Sequence, residues 1–263
     1  ILQDSDTVPD FLVNWINIII PVFTLLAIGM VVIYYLDLDV AGAISNIFAP
    51  FLKLGQSYIG MLLLCIMPGL LACFGVSGWA FTAFSYPIYL SAIAENVAAV
   101  ANGTNIVTSE TIFTASIITM GGVGCTLPLV IMCIIKARSK RLKTLGKVAL
   151  IPSFFNINEP VIYGYPIAYN ATLMIPYLLN IVVGVTVVYN AMKFGLLNIP
   201  AQTLQTGQIP GPVACVLVTK DFRALIWWVL CFVLYTIIWL PFFKKYDKQC
   251  LDEEAEQAEA EKM

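Results

Sequence analysis

The sequence predicts an all-α integral membrane fold with about five transmembrane helices, two re-entrant hairpins and one interfacial amphipathic helix. Three observations carry that prediction. First, 60% of the 263 residues are hydrophobic and only 11% are charged, whereas an average soluble domain is about 25% charged. So little charge cannot cover a soluble surface, and the mean hydropathy is +0.87. The same apolar richness excludes a disordered chain. Second, the charges are segregated. Residues 247–261 hold seven of the 16 acids, residues 136–147 hold six bases, and between residues 40 and 220 the only acids are Glu95, Glu110 and Glu159. The net charge of −2 is therefore the sum of a basic stretch and an acidic tail. No basic patch is interleaved with exposed aromatics, which argues against a nucleic acid partner. Third, apolar blocks of spanning length recur and are interrupted by Gly, Pro and amide residues.

The first block, 11–36, is long enough to span and ends at Asp37 and Asp39. Residues 40–56 place Ile44, Ile47, Phe48, Phe51 and Leu52 on one helical face, the pattern of an interfacial helix. A second span covers 58–74. Residues 75–94 hold Gly75, Ser77, Gly78, Ser85 and Pro87 in an apolar run that ends at Glu95-Asn96. Polar backbone at membrane depth must be buried in protein or line a cavity, so this run reads as a re-entrant hairpin. A third span, 111–135, is broken by Gly121, Gly122, Gly124 and Pro128. The basic loop 136–147 that follows is expected on the cytoplasmic side.

Residues 148–168 repeat the broken pattern around Asn156, Asn158, Glu159, Pro160, Gly164 and Pro166, which makes a second hairpin. The fourth and fifth spans are 170–192 and 222–243. Trp227, Trp228 and Trp239 stand toward the ends of the last one, as interfacial aromatics. Lys244, Lys245 and Lys248 place the C-terminus in the cytoplasm, and 247–263 reads as a solvated, disordered acidic tail. Counting spans back from there puts the N-terminus outside. With no initiator Met and no signal peptide, the expectation is a chain that begins within a longer protein. Seven cysteines without a CxxC pair, and no histidine, read as small core-facing side chains rather than a disulfide or zinc framework. No cofactor or metal is expected.

An ionisable residue inside a membrane segment is a functional candidate. Glu159 is the foremost, flanked by the amides of Asn156 and Asn158 and followed by a helix-breaking proline. A carboxylate among amides suits the several hydroxyls of a sugar. Glu95-Asn96 closes the first hairpin as a second candidate contact or an external cap. Glu110 reads as a helix N-terminal carboxylate. The glycines of 121–124 lack the Lys-Ser/Thr of a phosphate loop and read as a close-packing device.

FNINEPVIYGYPIAYN closely resembles the signature of the lactose/cellobiose-type enzyme IIC, the membrane component of the bacterial phosphoenolpyruvate:sugar phosphotransferase system. VPDFLVNWINIIIPVF, FGVSGW, the AEN of 94–96, GGVGCTLPLVIM, RSKRLKTLGK and LPFFKKYD match it in order along nearly the whole chain. The resemblance implies a ten-span homodimeric transporter of the inner membrane, with this chain as its C-terminal, sugar-binding half, residues 1–246, followed by the tail. It implies a β-linked disaccharide such as cellobiose, diacetylchitobiose or lactose as substrate. A separate enzyme IIB would supply the phosphoryl group. By resemblance, Glu159 binds sugar with Asn156 and Asn158 in support, and Ser77, Glu95 and Asn96 are further candidate contacts. The sequence departs from the family at Ser77, where a histidine is usual, at Ile209-Pro210, where a tryptophan often precedes the proline, and at Asn170-Ala171. A non-transporting subunit or sensor, and an ion-coupled secondary transporter, are the alternative readings.

Overall fold

The computed structural model describes residues 10–31, 57–104, 116–202, 204 and 207–260. The chain divides into two units, residues 1–50 and 51–263. Among the described residues all regular structure is helical.

In the first unit, α1 (Asp10–Met30) carries Pro21 within it. Phe23, Leu25, Leu26, Ile28 and Met30 are all exposed. A helix that is apolar all round needs lipid or another protein surface about it. The end of the first expected span and the amphipathic helix expected at 40–56 lie outside the described residues, as does Glu110.

The second unit contains α2 (Tyr58–Cys73), α3 (Trp79–Ala101), α4 (Leu127–Ile135), α5 (Lys140–Phe154), α6 (Glu159–Gly164), α7 (Ala171–Lys193), α8 (Gly211–Thr219) and α9 (Arg223–Ala260). Ser57 caps α2, its Oγ accepting from the Gly60 N–H at 3.0 Å. α2 ends in a Schellman motif, with Gly75 at φ +74° and the bonds Gly75 N–H to Ala72 O and Val76 N–H to Leu71 O. The chain reverses over 74–78 and returns as α3. Tyr58 bonds to Thr186 at 2.6 Å, and Asn96 Nδ2 donates to Pro200 O at 2.9 Å. Both anchors lie at the C-terminal end of α7, so the two arms begin and finish at the same end of the unit.

This corrects the first expected hairpin. Residues 79–94 do not double back. They form one continuous helix that absorbs Ser85 and Pro87. The reversal comes at 74–78, and its first arm is the segment expected as an independent span at 58–74. Pro87 removes a single backbone bond from a long helix, whereas Gly75 supplies the left-handed conformation that a helix end needs.

The third expected span is also corrected. Residues 116–126 are irregular, and α4 supplies only nine helical residues. Gly121, Gly122 and Gly124 all have positive φ, at +75°, +96° and +81°, a conformation that no right-handed helix contains.

Where the second hairpin is expected, α5 is followed by a turn at 155–158 and then by α6. Its first arm is longer than expected, because α5 begins at Lys140 inside the basic stretch. Ser139 caps it, with its Oγ accepting from Leu142 N–H at 3.2 Å.

α7 and α9 are long and apolar enough to cross a membrane. The outward face of α9 is apolar from Phe222 through Ile226, Val229, Val233 and Ile237, and turns charged at Lys244 and Lys245. Its inward face, lined by Trp239 and Phe243, stays buried beyond that point at Tyr246, Asp247 and Cys250. The acidic tail is therefore not a disordered end. It continues α9 as far as Ala260, packed as far as Cys250 and tied through Glu254 to Ser139, Lys140 and Arg141. Trp239 is likewise not an interfacial residue. It is fully buried, and its Nε1–H donates to Cys125 O at 3.1 Å. The seven cysteines are all free and buried.

Candidate functional site

The turn at 155–158 is built around two amides. Asn156 occupies the left-handed position after α5 (φ +62°), closed by Asn156 N–H to Ser153 O and Ile157 N–H to Pro152 O. α2, α3 and α7 end in the same pattern with Gly75, Gly103 and Gly195 at that position. Asparagine is the side-chain-bearing residue that tolerates it best. The Asn156 side chain then does what glycine could not. Its Oδ1 accepts from Gly121 N–H at 3.2 Å, and its Nδ2 donates to Gly207 O at 3.3 Å and Ile209 O at 3.2 Å. Asn158 is buried, and its Nδ2 donates to Val123 O at 2.6 Å.

The partner of both amides is the irregular segment 116–126. Its backbone runs through the core, where every polar group needs a partner. Besides the two amides, two side chains of the segment itself and two from α9 supply them. Thr126 Oγ1 donates to Gly121 O at 2.6 Å, Cys125 Sγ to Ile118 O at 3.1 Å, Tyr235 Oη to Ile117 O at 3.4 Å, and Trp239 to Cys125 O. The glycines make this approach possible. A Cβ on Gly122 would meet the Asn158 side chain, and one on Gly124 would meet the Tyr177 ring. The expected packing role of the glycines holds, in a loop rather than between helices.

With the two amides committed to backbone, Glu159 is left at the head of α6. It is exposed and makes no hydrogen bond or ion pair with another described residue. Ser77 is exposed in the 74–78 turn, its Oγ accepting from Trp79 N–H at 3.4 Å. That turn leans on the segment after α6. Tyr169 Oη donates to Phe74 O at 2.5 Å, and Tyr169 N–H to Cys73 O at 2.9 Å. Both hairpin turns are thus tied to the segments around α6.

Glu95 and Asn96 are not brought to this place. They lie 18 and 19 residues beyond Ser77 along α3, about 27 Å away at 1.5 Å per residue. Asn96 is fully buried in its bond to Pro200. One disaccharide cannot touch both ends of α3.

The far end of α5 is held by carboxylates from α9. Asp247 accepts from Arg138 N–H at 3.0 Å and Ser139 N–H at 3.1 Å. Glu254 accepts from Ser139 Oγ at 2.6 Å, Arg141 N–H at 3.0 Å and Lys140 N–H at 3.2 Å. These groups satisfy N–H donors that a helix start leaves free. The bonds from the Arg141 N–H and the Ser139 hydroxyl hold Glu254 below the ordinary glutamate pKa. Sequence reasoning missed these caps, as it missed Tyr169, Tyr177 and Asn180. Tyr177 Oη and both polar atoms of Asn180 are buried on α7 without a hydrogen-bond partner among the described residues. An isolated Asn inside an apolar span was the available signal for Asn180. Among the described residues no group of three or more Cys, Asp and Glu side chains is arranged to hold a metal.

Comparison with known proteins gives a consistent result. A family model described as "Phosphotransferase system, EIIC" matches residues 5–180. The oligo-beta-mannoside-specific EIIC component of Bacillus subtilis is 30% identical over 80% of this chain and 48% of its own length. The lactose-specific EIICB component of Streptococcus mutans is 31% identical over 89% of this chain and 42% of its own. The crystal structure of ChbC, the IIC component from the N,N'-diacetylchitobiose-specific phosphotransferase system, superposes with a TM-score of 0.75 at 31% identity, over 97% of this chain and 61% of that one. The chain spans about half the length of the curated relatives it matches, or somewhat less.

Proposed function

We propose, from the premise that the chain belongs to the phosphotransferase system EIIC family, that it is the sugar-binding half of a bacterial inner-membrane permease. Its substrate class is a β-linked disaccharide, as the names of its relatives suggest. α1, α7 and α9 cross the bilayer, α2–α3 and α5–α6 enter it as hairpins, and the charged end of α9 lies in the cytoplasm. An N-terminal half of the transporter joins two copies as a homodimer. A separate or fused enzyme IIB phosphorylates the sugar on the cytoplasmic side and so traps it as an anion.

The observation that carries the reading is Glu159, an exposed carboxylate without a partner among the described residues, set on a turn whose two amides are fastened to a buried loop. A charged acceptor held in place can take several hydroxyl hydrogens at little ordering cost. Asn156 and Asn158 position Glu159 rather than contact the sugar, and Ser77, exposed in the other turn, remains a candidate contact. Asn96 braces α3, and Glu95 stands apart from the sugar.

Calorimetric titration of the purified chain with cellobiose, diacetylchitobiose and lactose tests this. At least one should bind, and Glu159→Gln should weaken it about ten- to a hundredfold, the loss of a hydrogen bond to a charged group, while the protein remains membrane-inserted. Equal binding by wild type and variant defeats the assignment.

A further inference from the structure

We propose that the groove where α2 begins and α7 ends binds the phosphate headgroup of an anionic phospholipid. A cavity of about 350 Å³ opens there, lined by Tyr58, Thr186, Tyr189, Asn190 and Lys193. Its walls are fastened to one another. Tyr58 and Thr186 bond at 2.6 Å, the Tyr58 and Tyr189 rings meet edge-on with centroids 5.4 Å apart, and Asn190 Nδ2 donates to Thr186 O at 2.7 Å. The Lys193 ammonium, the Tyr189 hydroxyl and the second amide hydrogen of Asn190 are donors carried by residues of that lining. Lys193 makes no ion pair with a described residue. The lining holds one fixed positive charge, several neutral donors and no acid, which suits an anion.

The surroundings select a lipid over a soluble anion. Ile59 is 67% exposed, Leu63 55% and Phe194 70%. Ile59 and Leu63 lie one turn apart on α2, so they form an apolar track leading away from the cavity along which an acyl chain can lie. Lys193 closes α7, a helix of spanning length. Lysine and tyrosine at the end of such a helix stand at headgroup level. The anchoring by Tyr58 adds that a bound lipid would staple the start of the first hairpin to the end of α7.

This inference rests on the membrane placement proposed above but not on sugar binding. Native mass spectrometry of the whole chain in nanodiscs of phosphatidylglycerol or phosphatidylcholine tests it. One phosphatidylglycerol should be retained per chain in preference to phosphatidylcholine. Lys193→Ala should weaken retention about fivefold, the value of one lysine near a charged lipid surface. Lys193→Arg should keep it, and Tyr189→Phe should lose part of it. Retention that is indifferent to headgroup charge or to Lys193→Ala overturns the proposal. So does displacement of the lipid by a β-linked disaccharide, which would make the cavity a sugar vestibule. A chain that fails to enter the bilayer overturns this and the membrane reading together. A chain that inserts and binds lipid independently of Lys193 overturns this alone.

Discussion

The first arm of each hairpin ends in the same backbone motif, with Gly75 at the left-handed position in the first and Asn156 in the second. The turn at 74–78 is held by Tyr169 and is otherwise exposed. The turn at 155–158 is tied by Asn156 and Asn158 to segments 121–123 and 207–209, and the other end of its first arm is pinned by Asp247 and Glu254. The first turn rests on one tyrosine, and the second is fastened by two amides to two other segments. The fastened one carries the candidate carboxylate. A side chain that must meet a ligand at a set angle needs its backbone immobilised before the ligand arrives, and that is where the amides and carboxylates are concentrated.

The largest effect that would break this contrast is expected at the loop the second turn grips. Gly124→Ala places a methyl in the Tyr177 ring at a φ of +81°, with strain and overpacking together costing about 2–4 kcal/mol. Gly103→Ala, at φ +65° with nothing near it, should pay the conformational part alone. Thermal unfolding of both in detergent separates the two, and equal Tm losses would refute the packing role.

Next come substitutions of the amide itself. Asn156→Gly keeps the left-handed backbone and loses three side-chain bonds, about 0.6 kcal/mol each inside a membrane protein. Asn156→Ala should cost about 1 kcal/mol more, the left-handed penalty. If glycine were fully tolerated in both Tm and sugar affinity, the side chain would not be the fastener.

A smaller effect is expected at the pinned end of α5. Because Glu254 is held below its ordinary pKa of about 4.3, its contribution is complete above that value and is lost as the pH falls through the depressed folded value. The Tm difference between wild type and Glu254→Gln should therefore be largest near neutrality and shrink as the pH is lowered toward 3. A difference that does not change with pH would exclude the carboxylate cap. The smallest effect belongs to the plain turn. Ser77→Ala, an exposed site with one weak bond of 3.4 Å, should change stability by no more than about 0.5 kcal/mol. A larger loss would mean that the first turn is fastened too.

The membrane class was legible in the composition, and α7 and α9 in their apolar runs, because both properties are local. Glu159 was legible as a scarce charge in an apolar body, and the turn around it by its proline and amides. The ends of the first hairpin were misjudged because a glycine that ends a helix and a serine or proline inside one look alike in a list of breakers. The helical tail was not legible because its charges mask Phe243, Tyr246 and Cys250, which carry the buried stripe of α9 past Lys244 and Lys245.

What the sequence by itself determined is thus the solvent the chain was made for, the long helices, and the place where a charge stands alone in an apolar body. Only the tertiary structure decided what each polar group touches. Asn156 reaches residues 35 to 53 positions away, and Asp247 and Glu254 reach residues more than 100 positions away. Hydrogen bonds are short-ranged and directional, so a partner so distant in sequence is chosen by how helices pack and not by any local pattern. That choice made Asn156 and Asn158 the fastenings of the turn that carries Glu159.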